Sequence, residues 1–274
     1  MAGCRHVPVT SRADGPRSGS NYSAAVRSTS PHETGRPAIA VVVLAGGSGL
    51  RVGKDRNKAY LPLGSRTAVG ISLQTMAGAT TPGLRRLVLV VRDDDLDLAE
   101  RTLAEEFPRP PVPVELVVGG SSRHGSEERA LRHLGPAIRS AELDLVLIHD
   151  AARPMCSPDL VATLVSAAAQ SGGAVPGLVA DDLAAVGDDG TLVPLSGRHV
   201  RIQTPQVFAA GPLLEAYHRA AEAGFEGTDT AACLERFSTV RVAYVAGEEQ
   251  NLKITYPHDL LIADELIRRR DAQP

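Results

Sequence analysis

A glycine-rich stretch, Leu44-Ala45-Gly46-Gly47-Ser48-Gly49-Leu50-Arg51, is followed by Gly53 and then by Asn57-Lys58-Ala59-Tyr60-Leu61-Pro62-Leu63. Glycines let backbone N–H groups come close to an anion, and Arg51 and Lys58 add the positive charge that a triphosphate demands. The stretch reads as a phosphate cradle. It lacks the Gly-Lys-Ser/Thr end of a P-loop, and Gly46-x-x-Gly49 does not complete the dinucleotide fingerprint. Taken alone, an ordinary glycine turn between strand and helix would look the same.

Two further clusters could carry chemistry. In Gly119-Gly120-Ser121-Ser122-Arg123-His124-Gly125-Ser126, the backbone groups of the glycines and a capping serine could meet the polar edge of a pyrimidine, with Arg123 as a directed cation. The plainer reading is a capped helix start. In Ile148-His149-Asp150-Ala151-Ala152-Arg153-Pro154, an aspartate leaves the end of an apolar run. One carboxylate there, together with phosphate oxygens, could hold a hard Mg²⁺ ion. Asp150 is the metal candidate, against the alternatives of a helix-capping aspartate and of a simple ion pair with Arg153. His149 reads as a packing or orienting residue, because a lone histidine is poor evidence for acid–base work.

These clusters need a frame, and the apolar pattern supplies one. Continuous apolar runs with β-branched residues at 38–44, 86–91, 112–118 and 143–148 are signs of strands covered on both faces. Between them, 68–77, 96–107 and 127–134 show the spacing of crossover helices. The alternation predicts an α/β, doubly wound, mostly parallel sheet with ligands at the carboxyl ends of its strands. From residue 179 to about 202 the pattern breaks into short pieces, with Asp188-Asp189-Gly190 suited to a hairpin tip. That segment is expected to protrude as a β-arm. Helices over 212–223, 230–237 and 257–270 and a strand over 240–245 should complete the domain.

Composition excludes several classes. A chain of 274 residues, 43% hydrophobic, can bury a substantial core, and a net charge of −3 with only 3% aromatics gives neither the basic field nor the stacking surface of a nucleic-acid binder. No stretch approaches the roughly 20 apolar residues that span a bilayer. Cys4, Cys156 and Cys233 are scattered, which suits a reducing cytoplasm. Residues 1–37, rich in Ser, Arg, Gly and Pro without an apolar centre, read as a disordered tail preceding a domain over 38–274.

Taken together, the ordered motifs resemble those of the 2-C-methyl-D-erythritol 4-phosphate cytidylyltransferase family. Leu-Ala-Gly-Gly-x-Gly-x-Arg with Lys-x-Tyr-Leu-Pro-Leu, Gly-Gly-x-x-Arg-x-x-Ser, His-Asp-Ala-Ala-Arg-Pro, Gln203-Thr204-Pro205-Gln206-Val207-Phe208, Thr228-Asp229 and Asn251-Leu252-Lys253-Ile254-Thr255 occur in order across residues 39 to 269. The resemblance implies a Rossmann-like nucleotidyltransferase that uses CTP and Mg²⁺ to cytidylylate a polyol phosphate, and a cytoplasmic homodimer in which the arm completes the neighbour's site. It assigns Arg51, Lys58 and Lys253 to catalysis. Ala45, Gly46, Gly47, Gly49, Gly120, Arg123, Ser126 and Ala152 fall to CTP, and Arg153, Arg198, Thr204 and Thr228 to the polyol phosphate.

The likeness breaks in the arm. Where family members carry Asp-Thr followed by Lys-Arg, this chain has Asp181-Asp182-Leu183-Ala184-Ala185, and the family arginine that reaches the neighbouring subunit is out of register, with Arg198 nearest and Arg201 next. A carboxylate at Asp182 would repel a phosphorylated substrate unless a cation or water intervenes. Two rivals follow from the altered arm: a cytidylyltransferase for another polyol phosphate such as ribitol 5-phosphate, and a catalytically silent nucleotide-binding subunit.

Overall fold

A computed structural model describes residues 35–47 and 57–272; Gly49 and Arg51 of the expected cradle, and 1–34 of the expected tail, lie outside the described residues. The apolar run at the start of the domain is β1 (Ile39–Leu44). It is followed by a short hairpin of β2 (Pro62–Leu63) and β3 (Arg66–Thr67), by α1 (Ala68–Thr80), β4 (Leu84–Val91), α2 (Leu96–Glu106), β5 (Val114–Val118), α3 (Arg123–Arg139) and β6 (Leu145–Asp150). Then come α4 (Pro158–Ser171), β7 (Gly172–Val179), β8 (Ala184–Val186), β9 (Leu192–Pro194), β10 (Val200–Ile202), β11 (Gln206–Ala209), α5 (Ala210–Glu222), α6 (Thr230–Phe237), β12 (Arg241–Ala246) and α7 (Pro257–Asp271).

β6, β1, β4 and β5 lie side by side and all run parallel. β11 continues the sheet antiparallel to β6, and β7 follows, antiparallel to β11. β10 pairs antiparallel with the far stretch of β7, while β12 runs parallel to β7. The sheet is thus mostly parallel, with antiparallel pairs confined to one half.

Alternate residues of β1 go to opposite faces, as strand geometry dictates. Ile39, Val41 and Val43 pack with Leu73 and Met76 of α1, Ala99 of α2 and Leu164 of α4. Ala40 and Val42 pack with Leu131 and Leu134 of α3, Leu213 and Tyr217 of α5, and Leu234 of α6. Helices therefore cover both faces, the doubly wound arrangement that the alternation predicts. Burial of this kind stabilises by about 25 cal/mol per Å² of apolar surface.

Among the elements not read from the sequence are α4, β7 and β11. α4 starts with Ser157 accepting from the Leu160 amide and Pro158 in the first turn, both readable start signals. β7 contains Gly172, Gly173, Pro176 and Gly177, which hide a strand. Gly173 is there for space, since a Cβ would stand 2.9 Å from the Phe208 ring of β11. β11 itself is only four residues long and was met as part of a motif.

A third, smaller cluster of Leu63, Ile71, Met155, Ile254, Ala263 and Ile267 seats α7 against the β2–β3 hairpin and the segment before α7. This packing brings the chain near residue 253 back to the main sheet, where Ile254 donates its amide to Ala152 at 2.8 Å. Residues 184–194 form a separate hairpin, β8 and β9, with Gly190 in the left-handed region at its tip. Among the described residues, no helix is long and apolar enough to cross a membrane.

Candidate active site

The carboxyl ends of β1, β4, β5 and β6 open into one hollow of about 580 Å³. Ligands of doubly wound sheets bind at this edge because the strand order leaves a crevice there. Ala45, Gly46 and Gly47 form the wall after β1, Arg92 follows β4, and Gly120 follows β5. Asp150 closes β6, Ala152 stands two residues on, and Lys58, Arg123, Ser126 and Lys253 complete the expected set. The described lining thus carries four cations, Lys58, Arg92, Arg123 and Lys253, against one carboxylate, Asp150. Such a hollow attracts a polyanion.

Each side chain is positioned by its own local device. Lys58 opens a short 3-10 turn capped by Asn57, whose side chain accepts from the Ala59 amide at 3.1 Å. The same Asn57 donates to the Ala45 carbonyl and to Asp95 Oδ2 at 2.9 Å, so the lysine turn is pinned to the end of β1. At the start of α3, Ser122 accepts from the Gly125 amide at 3.0 Å. Ser126 accepts from the Gly120 amide at 3.1 Å and donates to the Ser122 carbonyl at 2.8 Å. The turn is so tight that a Cβ on Gly120 would meet the Gly125 backbone at 2.7 Å. Glycine is required there.

Asp150 is the electrostatic centre. Lys253 Nζ lies 2.7 Å from Oδ2 and Arg123 Nε 3.3 Å from Oδ1. Burial opposes ionisation of this carboxyl, but Arg123 and Lys253 overcome it and hold it well below the usual carboxylate range. Behind it, the Asp150 amide donates to Thr204 Oγ1 at 3.0 Å, and Thr204 Oγ1 lies 3.3 Å from His149 Nδ1. His149 Nε2 is 3.1 Å from the Arg153 carbonyl. A carbonyl can only accept, so Nε2 carries the ring proton and Nδ1 takes the threonine's. Burial pushes His149 down to about 4, which keeps it neutral and supports its reading as an orienting residue.

The other expected substrate residues do not line the hollow. Arg153 donates to the Asn251 carbonyl at 2.7 Å, tying the end of β6 to the Lys253 segment. Thr204 gives its hydroxyl proton to His149, and a phosphate oxygen would have to compete for it. Arg198 is exposed on the segment after β9, and Thr228 is exposed before α6. Two residues further on, buried Thr230 reaches Arg123 Nη1 at 3.4 Å and donates to Glu127 at 2.6 Å. Asp182 is exposed and paired with Arg201 at 2.5 Å, so the cation that its position demands is supplied by β10.

Sequence reasoning passed over Arg92, Glu127 and Thr230. Arg92 follows the apolar run of β4 directly, the place where a site residue belongs, and Nε holds Asp95 at 3.3 Å. Glu127 and Thr230 are 103 residues apart, and no local spacing joins them.

The donors present set what kind of metal could sit here. Among the described residues, no three acidic, histidine or cysteine side chains gather into a cage. A carboxylate offers about four acceptor positions, and Arg123 and Lys253 occupy two of those on Asp150. What remains fits a Mg²⁺ ion that arrives with a nucleotide and completes its shell with phosphate oxygens and water.

Comparison with known proteins gives a family match. The profile of the family described as IspD, 2-C-methyl-D-erythritol 4-phosphate cytidylyltransferase, matches residues 39–269. The enzyme of that name from Syntrophotalea carbinolica is 33% identical over 84% of this chain and 96% of its own length. A bifunctional IspD/IspF enzyme from Dinoroseobacter shibae is 37% identical over 86% of this chain, which spans only 55% of that longer protein. Among solved structures, 2-C-methyl-D-erythritol 4-phosphate cytidylyltransferase from Thermus thermophilus aligns with a TM-score of 0.61 and 30% identity, covering 85% of this chain and 99% of that one. The 4-diphosphocytidyl-2C-methyl-D-erythritol synthase of Anaerococcus prevotii aligns with a TM-score of 0.72 and 26% identity over the same shares.

Proposed function

The chain belongs to the 2-C-methyl-D-erythritol 4-phosphate cytidylyltransferase family, and from that premise we propose how this hollow transfers a cytidylyl group from CTP to 2-C-methyl-D-erythritol 4-phosphate, a step of isoprenoid precursor synthesis. The observation that supports the site is the four-to-one excess of cations over carboxylate at the carboxyl edge of the sheet. A phosphate oxygen of the polyol attacks the α-phosphorus of CTP in line. The bond to the bridging oxygen of the β-phosphate breaks and pyrophosphate leaves.

Lys58 stabilises charge gathering on the α-phosphate and the departing pyrophosphate, together with Arg51, which the sequence places between Gly49 and Gly53. Lys253 aligns the attacking phosphate, and its hold on Asp150 keeps it at the mouth of the reaction. Gly120, Arg123 and Ser126 receive the cytosine end. Asp150 would hold Mg²⁺, which when bound neutralises charge on the triphosphate. Positioning and charge account for most of the rate in such phosphate transfers, so no covalent enzyme intermediate is needed.

The arm, about residues 179–202, serves assembly in this reading. Val186 and Leu192 of the β8–β9 hairpin are 69% and 74% exposed, an apolar surface that a second copy in a homodimer would cover. Arg198 on that arm is then offered to the partner's substrate. The enzyme works in the cytoplasm. Pyrophosphate release with CTP, UTP or ATP against 2-C-methyl-D-erythritol 4-phosphate and ribitol 5-phosphate tests the whole reading. Preference for CTP with the erythritol phosphate is expected, a higher kcat/KM with ribitol 5-phosphate would move the acceptor, and no release with any pair would leave a silent nucleotide-binding protein.

A further inference from the structure

Behind Arg123 stands a carboxylate that the reaction does not use. Glu127, one helical turn further along α3, is 1% exposed, on the inner face of the helix where Ala130, Leu131 and Leu134 pack into the core. A carboxylate buried at such a position costs several kcal/mol in desolvation unless its oxygens are met. Here both oxygens are met. Oε1 lies 2.6 Å from Arg123 Nη1 and takes the Thr230 hydroxyl at 2.6 Å, and Oε2 takes the Tyr217 hydroxyl at 2.5 Å.

We infer that Glu127 is a positioning residue that fixes the Arg123 guanidinium between itself and Asp150, and so sets the cation that receives CTP. An arginine side chain ordinarily keeps much rotational freedom, which costs free energy to remove on binding. In this chain the freedom is removed beforehand. Nη1 is held by Glu127 and Thr230 and Nε by Asp150, while Nη2 has no acceptor among the described residues. The clamp spans three helices, because Tyr217 comes from α5 and Thr230 from the first residue of α6. Its back is braced as well, with the His124 ring stacked on Tyr217 at a centroid distance of 4.7 Å. A rigid cation gains more from a bound anion than a mobile one, since less ordering remains to be done.

The inference rests on the reading of Arg123 as a nucleotide contact, and a double-mutant cycle separates the two. Steady-state pyrophosphate release is measured over a range of CTP at saturating 2-C-methyl-D-erythritol 4-phosphate, for Glu127→Gln, Arg123→Gln and the pair. Glu127→Gln keeps the shape but loses the charge. We expect each single variant to raise the KM for CTP about tenfold with a smaller change in kcat, and the pair to be within about twofold of Arg123→Gln alone, since residues acting through one another are not additive. A purely structural role for Glu127 would instead give factors that multiply, and that result, or an unchanged KM in Glu127→Gln, overturns the inference. An unchanged KM in Arg123→Gln overturns the nucleotide contact itself. If Glu127→Gln does not fold, Tyr217→Phe and Thr230→Val carry the test in the same cycle: each removes one donor from Glu127, and each should raise the KM for CTP two- to threefold only while Arg123 is present.

Discussion

The hollow and the arm handle charge in opposite ways. In the hollow, Arg123 lies at hydrogen-bond distance from both Asp150 and Glu127 in a largely buried row, where interactions are strong and the geometry is fixed by the sheet and three helices. On the arm, Asp182 and Arg201 meet with side chains 72% and 56% exposed, and a pair so wet contributes little and is weakened by salt. In the proposed mechanism the first region serves rate and the second serves choice of acceptor and partner. It also explains how the arm can depart from the family pattern while the cradle keeps its cations. Substitution in a solvated hairpin disturbs nothing behind it.

Several measurements would break or sharpen that contrast. The largest effect should come from Asp150→Asn, which removes the charge that Lys253 and Arg123 share; kcat/KM should fall by about 10² to 10³, the range for a lost charge-stabilising group in a preorganised site. A loss smaller than tenfold would show that the row is structural only. Stability should distinguish the regions next. His149 has its pKa pushed down to about 4 by burial, below the ordinary value of 6.5. The unfolded chain therefore binds the proton first, so this contribution is complete above about pH 6.5 and is lost as the pH falls toward 4, by on the order of 3 kcal/mol. Urea unfolding of the wild type and of His149→Asn across that range should show the slope in the first and lose most of it in the second. Equal slopes would remove His149 from the account.

Smaller effects belong to the arm. Val186→Asp with Leu192→Asp should convert a dimer into monomers by sedimentation and lower activity about tenfold, while the folded monomer keeps its melting temperature, because neither side chain is buried within its own chain. A dimer that survives both changes would move the interface elsewhere. Asp182→Thr should change the KM for the polyol phosphate a few-fold and leave that for CTP alone. Equal changes in both would join the two regions that the contrast separates.

How much of this was legible in the chain follows the same division. β1 and the central stretches of β4 and β6 are apolar because both faces are covered, and such runs announce themselves. The hollow followed from them, since site residues sit just past strand ends, and ten of the expected residues line it. β7 did not announce itself, because Gly172, Gly173, Pro176 and Gly177 carry turn signals, while Gly173 and Gly177 serve close packing against Phe208 and Val200. The clamp on Arg123 was invisible for another reason. Glu127, Tyr217 and Thr230 have nothing in common in sequence, and only the folding of α5 and α6 onto α3 brings their oxygens together.

In the proposed mechanism, charge held in the hollow, and at Lys58 in particular, acts on the transition state more than on the bound nucleotide. Steady-state kinetics of Lys58→Ala with CTP and 2-C-methyl-D-erythritol 4-phosphate address it directly. We expect kcat to fall by about 10² or more with the KM for CTP within about threefold of wild type. Near-normal turnover, or a loss confined to KM, would contradict it.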